Sequence, residues 1–246
     1  MGNSIAALFH GRDNNFNLIR FIAAFAVMVD HSFALVAPEQ AANAALDLGS
    51  LELGRVGVDT FFIVSGFLVT RSAMTRPTVL DYGVARFMRL FPALFVTCVA
   101  IAFLLGPLVT SVSLHDYFTD PRTWLFVPVT ASLIPHTLTL PGVYDTPPGS
   151  GVIDQPLWTL RYEAFCYILL AAFAIAGLLA TRFRAGLTLA LIFAGYCLVT
   201  FGTDLREVSA IDSATRFVFG FFLGGAFYVF ADKIRLNFAV VLILAG

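Results

Sequence analysis

Charge is scarce in this chain of 246 residues. Only 13% of the residues are Asp, Glu, Lys or Arg, whereas a soluble domain has about 25%. The formal net charge is −1, and no basic tail or patch indicates a nucleic-acid partner. Hydrophobic residues make up 59%, and the mean hydropathy is +0.85. This composition excludes an ordinary soluble domain.

Cysteine is also scarce. Cys98, Cys166 and Cys197 each lie inside an apolar run, with neither the spacing of metal ligands nor a disulfide framework. We therefore expect three small buried residues and no metal site. The N-terminus lacks a contiguous apolar core followed by a cleavage site, and its sixth residue is Ala rather than Ser or Thr. We therefore expect neither a cleaved signal peptide nor N-myristoylation.

Long apolar runs dominate what is present. Several approach or exceed the ~18–20 residues that a helix needs to cross a bilayer. They predict an all-α fold, a polytopic helical membrane bundle of about six complete transmembrane helices plus the start of a seventh. The predicted spans are residues 17–36, 56–74, 87–110, 158–181, 185–202 and 214–231, with the incomplete run at 238–246. Because that run is too short to cross, either the chain is a fragment or the segment ends inside the membrane. We prefer the first and expect one membrane domain, residues 1–246, that is incomplete at its C-terminus.

The charges of the connections predict the orientation. Lys and Arg concentrate at 71–86, 182–184 and 232–235, whereas the alternate connections are acidic or balanced. By the positive-inside rule the first group and the N-terminus are cytoplasmic. Arg20 would then lie near the cytoplasmic face and His31 toward the outer side.

One apolar segment, residues 123–133, allows a second topology. It is short and interrupted by proline, and counting it as a span would place the basic 182–184 connection outside. We therefore assign it, as a re-entrant or interfacial stretch, to a long outer loop at 111–157. The length of that loop favours a role as a lid or in acceptor binding, with plain disorder as the alternative.

Two ionisable residues share one face of the first predicted span. Arg20 and His31 are eleven residues apart, so they point within about 20° of each other and lie about 16 Å apart along the axis. Ionisable groups are expensive in hydrocarbon and indicate function there. This face is therefore predicted to line a site for a charged, elongated substrate, although such a histidine is often only a satisfied core residue. Asp30 falls on a different face, so we do not expect it to pair with His31.

The next two spans begin with further polar residues. Asp59 is expected to open the second, where a carboxylate favours the helix dipole, and Ser65-Gly66 permits close helix approach. A capped, tightly packed helix explains both features equally well. Arg86 and Arg89, three residues apart, are either snorkelling anchors or a phosphate clamp.

Glu163 and Tyr167 lie one turn apart near the outer end of the fourth span. The glutamate can orient a histidine, hold a substrate hydroxyl, or pair with a neighbour such as Arg161, and its cost in hydrocarbon slightly favours function. Other polar or small residues are expected to have structural or surface roles: Arg216 as an anchor or ion-pair partner, Gly220 with Gly224 as a helix-packing pair, and His10, His115 and His136 on the surface.

Four motifs occur in a fixed order over residues 16–167: R-x10-H, GVD-x-FF-x-x-SGFL, R-x-x-RL-x-P and LWTL-x-x-E-x-x-x-Y. Together they resemble membrane acyltransferase family 3, whose members O-acylate cell-surface carbohydrates and related molecules. The matching residues are Arg20, His31, Gly57, Asp59, Phe61, Phe62, Ser65, Gly66, Arg86, Arg89, Pro92, Trp158, Glu163 and Tyr167. Thr159 stands in place of the family's usual serine. The family usually has more spans, in agreement with a truncated chain.

The resemblance implies a mechanism at a bacterial inner membrane. Cytoplasmic acyl-CoA, a donor substrate and not a tightly bound cofactor, would present its phosphates to Arg20, Arg86 and Arg89. His31 would act as general base on a hydroxyl of a carbohydrate or glycoconjugate, directly or through an acyl-histidine, with Glu163 orienting the base or the hydroxyl. Acetyl is the family's common acyl group. Substrate or structural support is expected from Asp59, Ser65, Trp158 and Tyr167.

Two other classes of function remain open at this point. A transporter or channel would use the ionisable residues inside the spans as a proton or anion pathway: Arg20, Asp30, His31, Asp59 and Glu163. A non-catalytic membrane partner would keep the fold without needing the intact Arg20 and His31. Solute flux without acyl-CoA would indicate the transporter, whereas thioester cleavage would indicate the transferase.

Overall fold

The computed structural model describes residues 3–9, 15–36, 53–76, 78–135, 138–144, 157–204 and 208–236. Almost all of this part of the chain is helical. The helices are α1 (Ile5–Leu8), α2 (Phe16–Val36), α3 (Leu53–Thr75), α4 (Val79–Ala100), α5 (Gly106–Val109), α6 (Leu114–Thr119), α7 (Pro121–Ala131), α8 (Trp158–Ile175), α9 (Arg182–Gly202) and α10 (Ser209–Val229). A π-helical turn, Ile101–Leu105, joins α4 to α5. Two short strands, β1 (Asn3–Ser4) and β2 (Arg235–Leu236), pair antiparallel.

Four helices in the described ranges are long and apolar enough to cross a membrane: Leu53–Thr75, Val79–Val109, Trp158–Ile175 and Arg182–Gly202. They confirm the all-helical membrane fold and the second to fifth predicted spans. The helices α2 and α10 each have 21 residues but do not belong to these four. Of the six predicted spans, four are therefore confirmed. The predicted start of a seventh span, together with His10 and His136, lies outside the described residues.

The chain divides into two compact units. We call Met1–Arg76 with Cys166–Gly246 the bundle unit, and Pro77–Phe165 the middle unit. The boundary falls inside α8, so this helix belongs to both.

Glycines set the helix spacing in the bundle unit, where α2 and α10 both pack on α3. A Cβ atom at Gly57 would lie 2.7 Å from the carbonyl oxygen of Ala23 in α2. A Cβ atom at Gly66 would collide with the backbone of Phe221 in α10, and one at Gly224 with the backbone of Ile63. The predicted close approach at Ser65-Gly66 is therefore confirmed, because backbone meets backbone at these positions.

The contacts also give the relative directions of the helices. Arg20 faces Phe61 and Asp30 faces Gly54, so the residue numbers run in opposite directions and α2 is antiparallel to α3.

Between α3 and α10 the residue numbers rise together. Asp59 pairs with Arg216 near the beginning of both helices, and Phe67 contacts Tyr228 near their ends, with ring centroids 5.5 Å apart. These two helices are therefore parallel.

The middle unit has a core of side chains around Tyr117, which is fully buried. Its buried members are Leu94, Cys98, Ala102, Tyr117, Phe126, Val127, Leu140 and Val143. The Tyr117 hydroxyl donates a hydrogen bond of 2.7 Å to the Ala102 carbonyl oxygen in the π-helical turn. Such turns leave carbonyl groups without their usual α-helical donor, and the tyrosine supplies one here.

The described part of the predicted outer loop is ordered. Ser113 and Asp120 cap α6 and α7, where their side chains accept hydrogen bonds from backbone N–H groups. The helix α7 has 11 residues and packs against α4. It is therefore too short to cross a bilayer, as predicted, while the alternative of plain disorder is wrong for this segment.

Candidate functional site

Arg20 is positioned by the contact of α2 with α3. Its guanidinium carbon lies 5.7 Å from the ring centroid of Phe61, within the range of a cation–π contact. The side chain is only partly buried. The structure thereby brings together the arginine of the R-x10-H motif and an aromatic residue of GVD-x-FF. A guanidinium lying against a ring keeps its N–H edges available to an anion.

His31 lies beside a carboxylate. Its Nδ1 atom is 3.6 Å from Oδ2 of Asp30, and the two side chains are 40% and 38% exposed. The expectation that Asp30 does not pair with His31 is therefore wrong. Helix-face reasoning follows the Cα–Cβ direction, but the atoms beyond Cβ can turn toward a neighbour. Gly54 makes this possible, since a Cβ atom there would collide with the Asp30 carboxylate.

Asp59 does not open its helix. Because α3 begins at Leu53, Asp59 lies in the second turn, and its expected role at the helix N-terminus is wrong. Its Oδ1 atom instead lies 3.2 Å from Nε of Arg216. The side chain of Arg216 is 18% exposed, and its guanidinium also lies 4.7 Å from the ring centroid of Phe217. The prediction that Arg216 anchors or pairs is confirmed.

The arginines of the third motif lie inside α4, in the middle unit. Arg86 is partly buried, with its guanidinium carbon 5.9 Å from the ring centroid of Tyr82, and Arg89 is exposed. They are one turn apart on the same side of the helix. This placement fits either an anchor or a phosphate clamp.

The fourth motif lies on α8. Trp158 begins the helix, with its ring 5.7 Å from that of Tyr162, and Glu163 is partly buried. Arg161 donates a hydrogen bond of 3.2 Å to the Tyr162 hydroxyl. Tyr167 is buried within the bundle unit, 6.2 Å from the ring of Phe221.

Contacts of α3 therefore unite the first two motifs, while the third motif and the start of the fourth belong to the middle unit. Ser65 is buried on the central helix α3, with 4% exposure. Two residues that sequence reasoning did not assign correctly, Asp30 and Asp59, both sit at helix contacts. The position of Asp30 directly before His31 was the available signal.

The fold and these contacts define an all-helical membrane protein with charged residues at the contacts between its helices. The chain belongs to the family described as Acyltransferase domain, which matches residues 13–246. This identification confirms the resemblance carried by the four motifs.

Two curated relatives match the chain. An O-acetyl transferase of Shigella phage Sf6 is 28% identical over 203 residues, covering 80% of this chain and 56% of the relative. Nodulation protein 10 of Rhizobium leguminosarum bv. viciae is 32% identical over 170 residues, covering 65% and 44%. The chain thus spans about half the length of these relatives. No solved structure matches it.

Proposed function

We propose that this chain belongs to a membrane-bound O-acyltransferase. The enzyme moves an acyl group, with acetyl the first candidate, from cytoplasmic acyl-CoA to a hydroxyl of a cell-surface carbohydrate or glycoconjugate. The observation that carries the proposal is the geometry of α2. One helix holds a cation against Phe61 at one level and a histidine beside the Asp30 carboxylate about 16 Å further along the axis.

The donor site needs cations near the cytoplasmic face. Arg20, Arg86 and Arg89 supply guanidinium groups, whose paired N–H donors suit phosphate oxygens. Arg20 lies against the ring of Phe61 and Arg86 against the ring of Tyr82, and these aromatic contacts hold the planes of the two guanidinium groups. The long pantetheine arm of the donor then reaches toward His31.

His31 performs the proton transfer. Its neutral imidazole accepts the proton of the acceptor hydroxyl while the oxygen attacks the thioester carbonyl. The C–O bond forms, the C–S bond breaks, and the departing CoA thiolate takes the proton back from the imidazolium. The Asp30 carboxylate, 3.6 Å from Nδ1, stabilises the imidazolium through its charge and favours a tautomer with Nε2 free to act.

Glu163 holds the acceptor hydroxyl, and the other motif residues support the site. The Asp59 ion pair with Arg216 joins α3 to α10. Ser65 precedes Gly66, where α3 and α10 approach closely, Trp158 contacts Tyr162 within α8, and Tyr167 packs α8 on Phe221 of α10.

The topology that we propose has six crossings with a cytoplasmic N-terminus in the bacterial inner membrane. Neighbouring spans that run parallel must have an odd number of crossings between them. Since α3 and α10 are parallel, the three crossings by α4, α8 and α9 satisfy this condition. Counting α7 as a further crossing would violate it.

The test is acyl-CoA thioester cleavage by purified protein, using both the full-length parent and this chain. We expect His31→Ala to abolish cleavage and transfer, and Arg20→Ala to raise the KM for the donor. His115→Ala is the matched control, because His115 lies on α6 outside the motifs and its loss is expected to leave the rate unchanged. Full transfer by His31→Ala would disprove the assignment of the base.

Family membership favours this proposal over a transporter. A transporter would carry solute across proteoliposomes without acyl-CoA and would cleave no thioester. If the full-length parent cleaves no thioester when a carbohydrate acceptor is supplied, a transporter becomes the favoured function. Cleavage by the parent but not by this chain would mean that segments beyond these residues complete the site.

A further inference from the structure

A cavity of about 290 Å³ lies at one end of the bundle unit, where α3 and α10 end and α9 begins. Two arginines line it: Arg71 from α3 and Arg182, the first residue of α9. Asp232, from the turn after α10, is its acidic member, and Phe9 and Tyr228 form part of its apolar wall. None of these five residues belongs to the four motifs.

Arg71 is a positioned cation. Its guanidinium carbon lies 4.7 Å from the ring centroid of Phe9, which itself packs on Phe67 at 5.3 Å. The side chain is partly buried, and among the residues that the structure describes no carboxylate forms an ion pair with it. A stacked guanidinium of this kind has lost part of its side-chain freedom before any ligand binds, which lowers the entropic cost of binding an anion.

Arg182 is the second cation, and it is partly neutralised. Its Nη1 atom donates a hydrogen bond of 2.9 Å to Oδ2 of Asp232. Burial opposes ionisation of this carboxyl group, but the hydrogen bond and charge of Arg182 keep the pKa of Asp232 below its usual value. With two guanidinium groups and one carboxylate, the cavity keeps one net positive charge.

We propose that this cavity binds the phosphate group of a ligand at the membrane surface, with Arg71 as the main cation and Arg182 as the second. Guanidinium forks match phosphate oxygens, and the aromatic wall accommodates an apolar or planar group next to the phosphate. Ligand pockets measure about 300–1,000 Å³, so this small cavity admits a lipid headgroup or one part of a nucleotide, not a whole CoA molecule.

Two sources supply such a phosphate: the nucleotide end of a CoA thioester, and the headgroup of an anionic phospholipid. Both are present at the cytoplasmic face, where the positive-inside rule places the Arg71, Arg182 and Lys233 connections. None of the motif arginines lines the cavity. The inference concerns binding alone, so it holds even if the protein transfers no acyl group.

The test measures binding by the purified chain with two probes. Adenosine 3′,5′-bisphosphate, titrated in detergent, represents the nucleotide end of CoA. Nanodiscs of phosphatidylglycerol, compared with nanodiscs of phosphatidylcholine by native mass spectrometry, represent the lipid. We expect Arg71→Ala to weaken binding of one probe by about tenfold or more, since a hydrogen bond to a charged group contributes about 1.5–3 kcal/mol. The affected probe identifies the source of the phosphate.

Three further variants separate binding from folding. Arg71→Lys keeps the charge but not the fork, so its loss of affinity is expected to be smaller. Asp232→Asn removes the competing carboxylate and is expected to tighten binding, a gain that misfolding cannot produce. Arg184→Ala is the matched control: Arg184 lies one half-turn from Arg182 on α9, donates to the Gly177 carbonyl oxygen at 3.4 Å, and does not line the cavity.

The proposal is overturned if Arg71→Ala and Arg182→Ala bind both probes as tightly as the wild type, or if Arg184→Ala weakens binding as much as they do. A variant that loses thioester cleavage but still binds the probes bears on the proposed function and does not affect the cavity site. Weakened probe binding in a protein that cleaves no thioester supports the cavity site and counts against the transferase.

Discussion

In the bundle unit α3 meets α10 backbone to backbone at Gly66 and Gly224, whereas the middle unit packs side chain against side chain around Tyr117. The polar contacts of the two units also differ in charge. The bundle unit places the Asp59–Arg216 ion pair at its helix contact, while the core of the middle unit has a neutral hydrogen bond from Tyr117 to Ala102. A close backbone contact leaves little room for adjustment, so it holds ionisable side chains at defined distances.

The largest expected effect tests the backbone contact. Gly224→Ala places a methyl group against the Ile63 backbone and is expected to cost about 3 kcal/mol of unfolding free energy or to abolish folding. Gly220→Ala, one turn earlier on α10, is the matched control, because its nearest neighbours in Ile63 and Phe62 are 3.8 Å away. Thermal unfolding in detergent measures both.

Equal melting temperatures for the two glycine variants would contradict this account of the bundle unit. The control is expected to be neutral or slightly stabilising, since alanine favours a helix over glycine by about 1 kcal/mol. The predicted Gly220–Gly224 packing pair is thus asymmetric, and only Gly224 touches backbone.

The next effect concerns the ion pair. Asp59→Asn leaves the Arg216 guanidinium, 18% exposed, without its anion. We expect a loss of about 2 kcal/mol, between the values for exposed and fully buried pairs. Adding Arg216→Met to Asp59→Asn is expected to recover part of that loss, because no unpaired charge remains. If the double variant is as unstable as the sum of the two single variants, the ion pair does not couple α3 to α10.

The smallest effect belongs to the middle unit. Tyr117→Phe removes the donor of the 2.7 Å hydrogen bond to the Ala102 carbonyl and is expected to cost about 1–2 kcal/mol. Tyr144→Phe is the control, since that side chain is 48% exposed. Thermal unfolding that shifts equally in both variants would show that the hydrogen bond does not stabilise the π-helical turn.

The pH dependence of the same residue has a defined sign. Burial raises the pKa of Tyr117 above its ordinary value. Above about pH 10 the unfolded chain therefore loses this proton first, and the stability of the folded protein falls as pH rises further. Tyr117→Phe removes this contribution, so the alkaline decline in melting temperature is expected to be shallower in the variant than in the wild type.

Much of the fold could be predicted because hydrophobic runs in a membrane protein are long and unambiguous. Four of the six complete predicted spans are helices that can cross a membrane, and α7 is short, as its prolines indicated. The boundaries of the helices differ more from the predicted spans. The helix α4 begins at Val79, well before the predicted span, because Thr78 caps it and its first turns are polar enough to extend beyond the hydrocarbon.

The sequence proposes members for the candidate site, and these stay a prediction, but it does not give their contacts. Arg20, His31 and Glu163 were singled out because ionisable groups are costly in hydrocarbon, and Asp59 because it was expected at a helix start. Partners depend on how helices pack, and spacing along one helix does not contain that information. The sequence analysis therefore rejected Asp30 as the partner of His31, because it could not show the space that Gly54 of α3 leaves, and it named Arg216 as an ion-pair partner without its anion.

By itself the sequence determined that this protein is a helical membrane protein and that its motifs resemble those of an acyltransferase, because composition and local spacing carry both signals. Only the tertiary structure decided that Asp30 lies beside His31, that Asp59 pairs with Arg216, and that Arg71 and Arg182 share a cavity. These contacts join residues on different helices or depend on the space that a neighbouring glycine leaves. The packing of helices, not their individual periodicity, sets such distances.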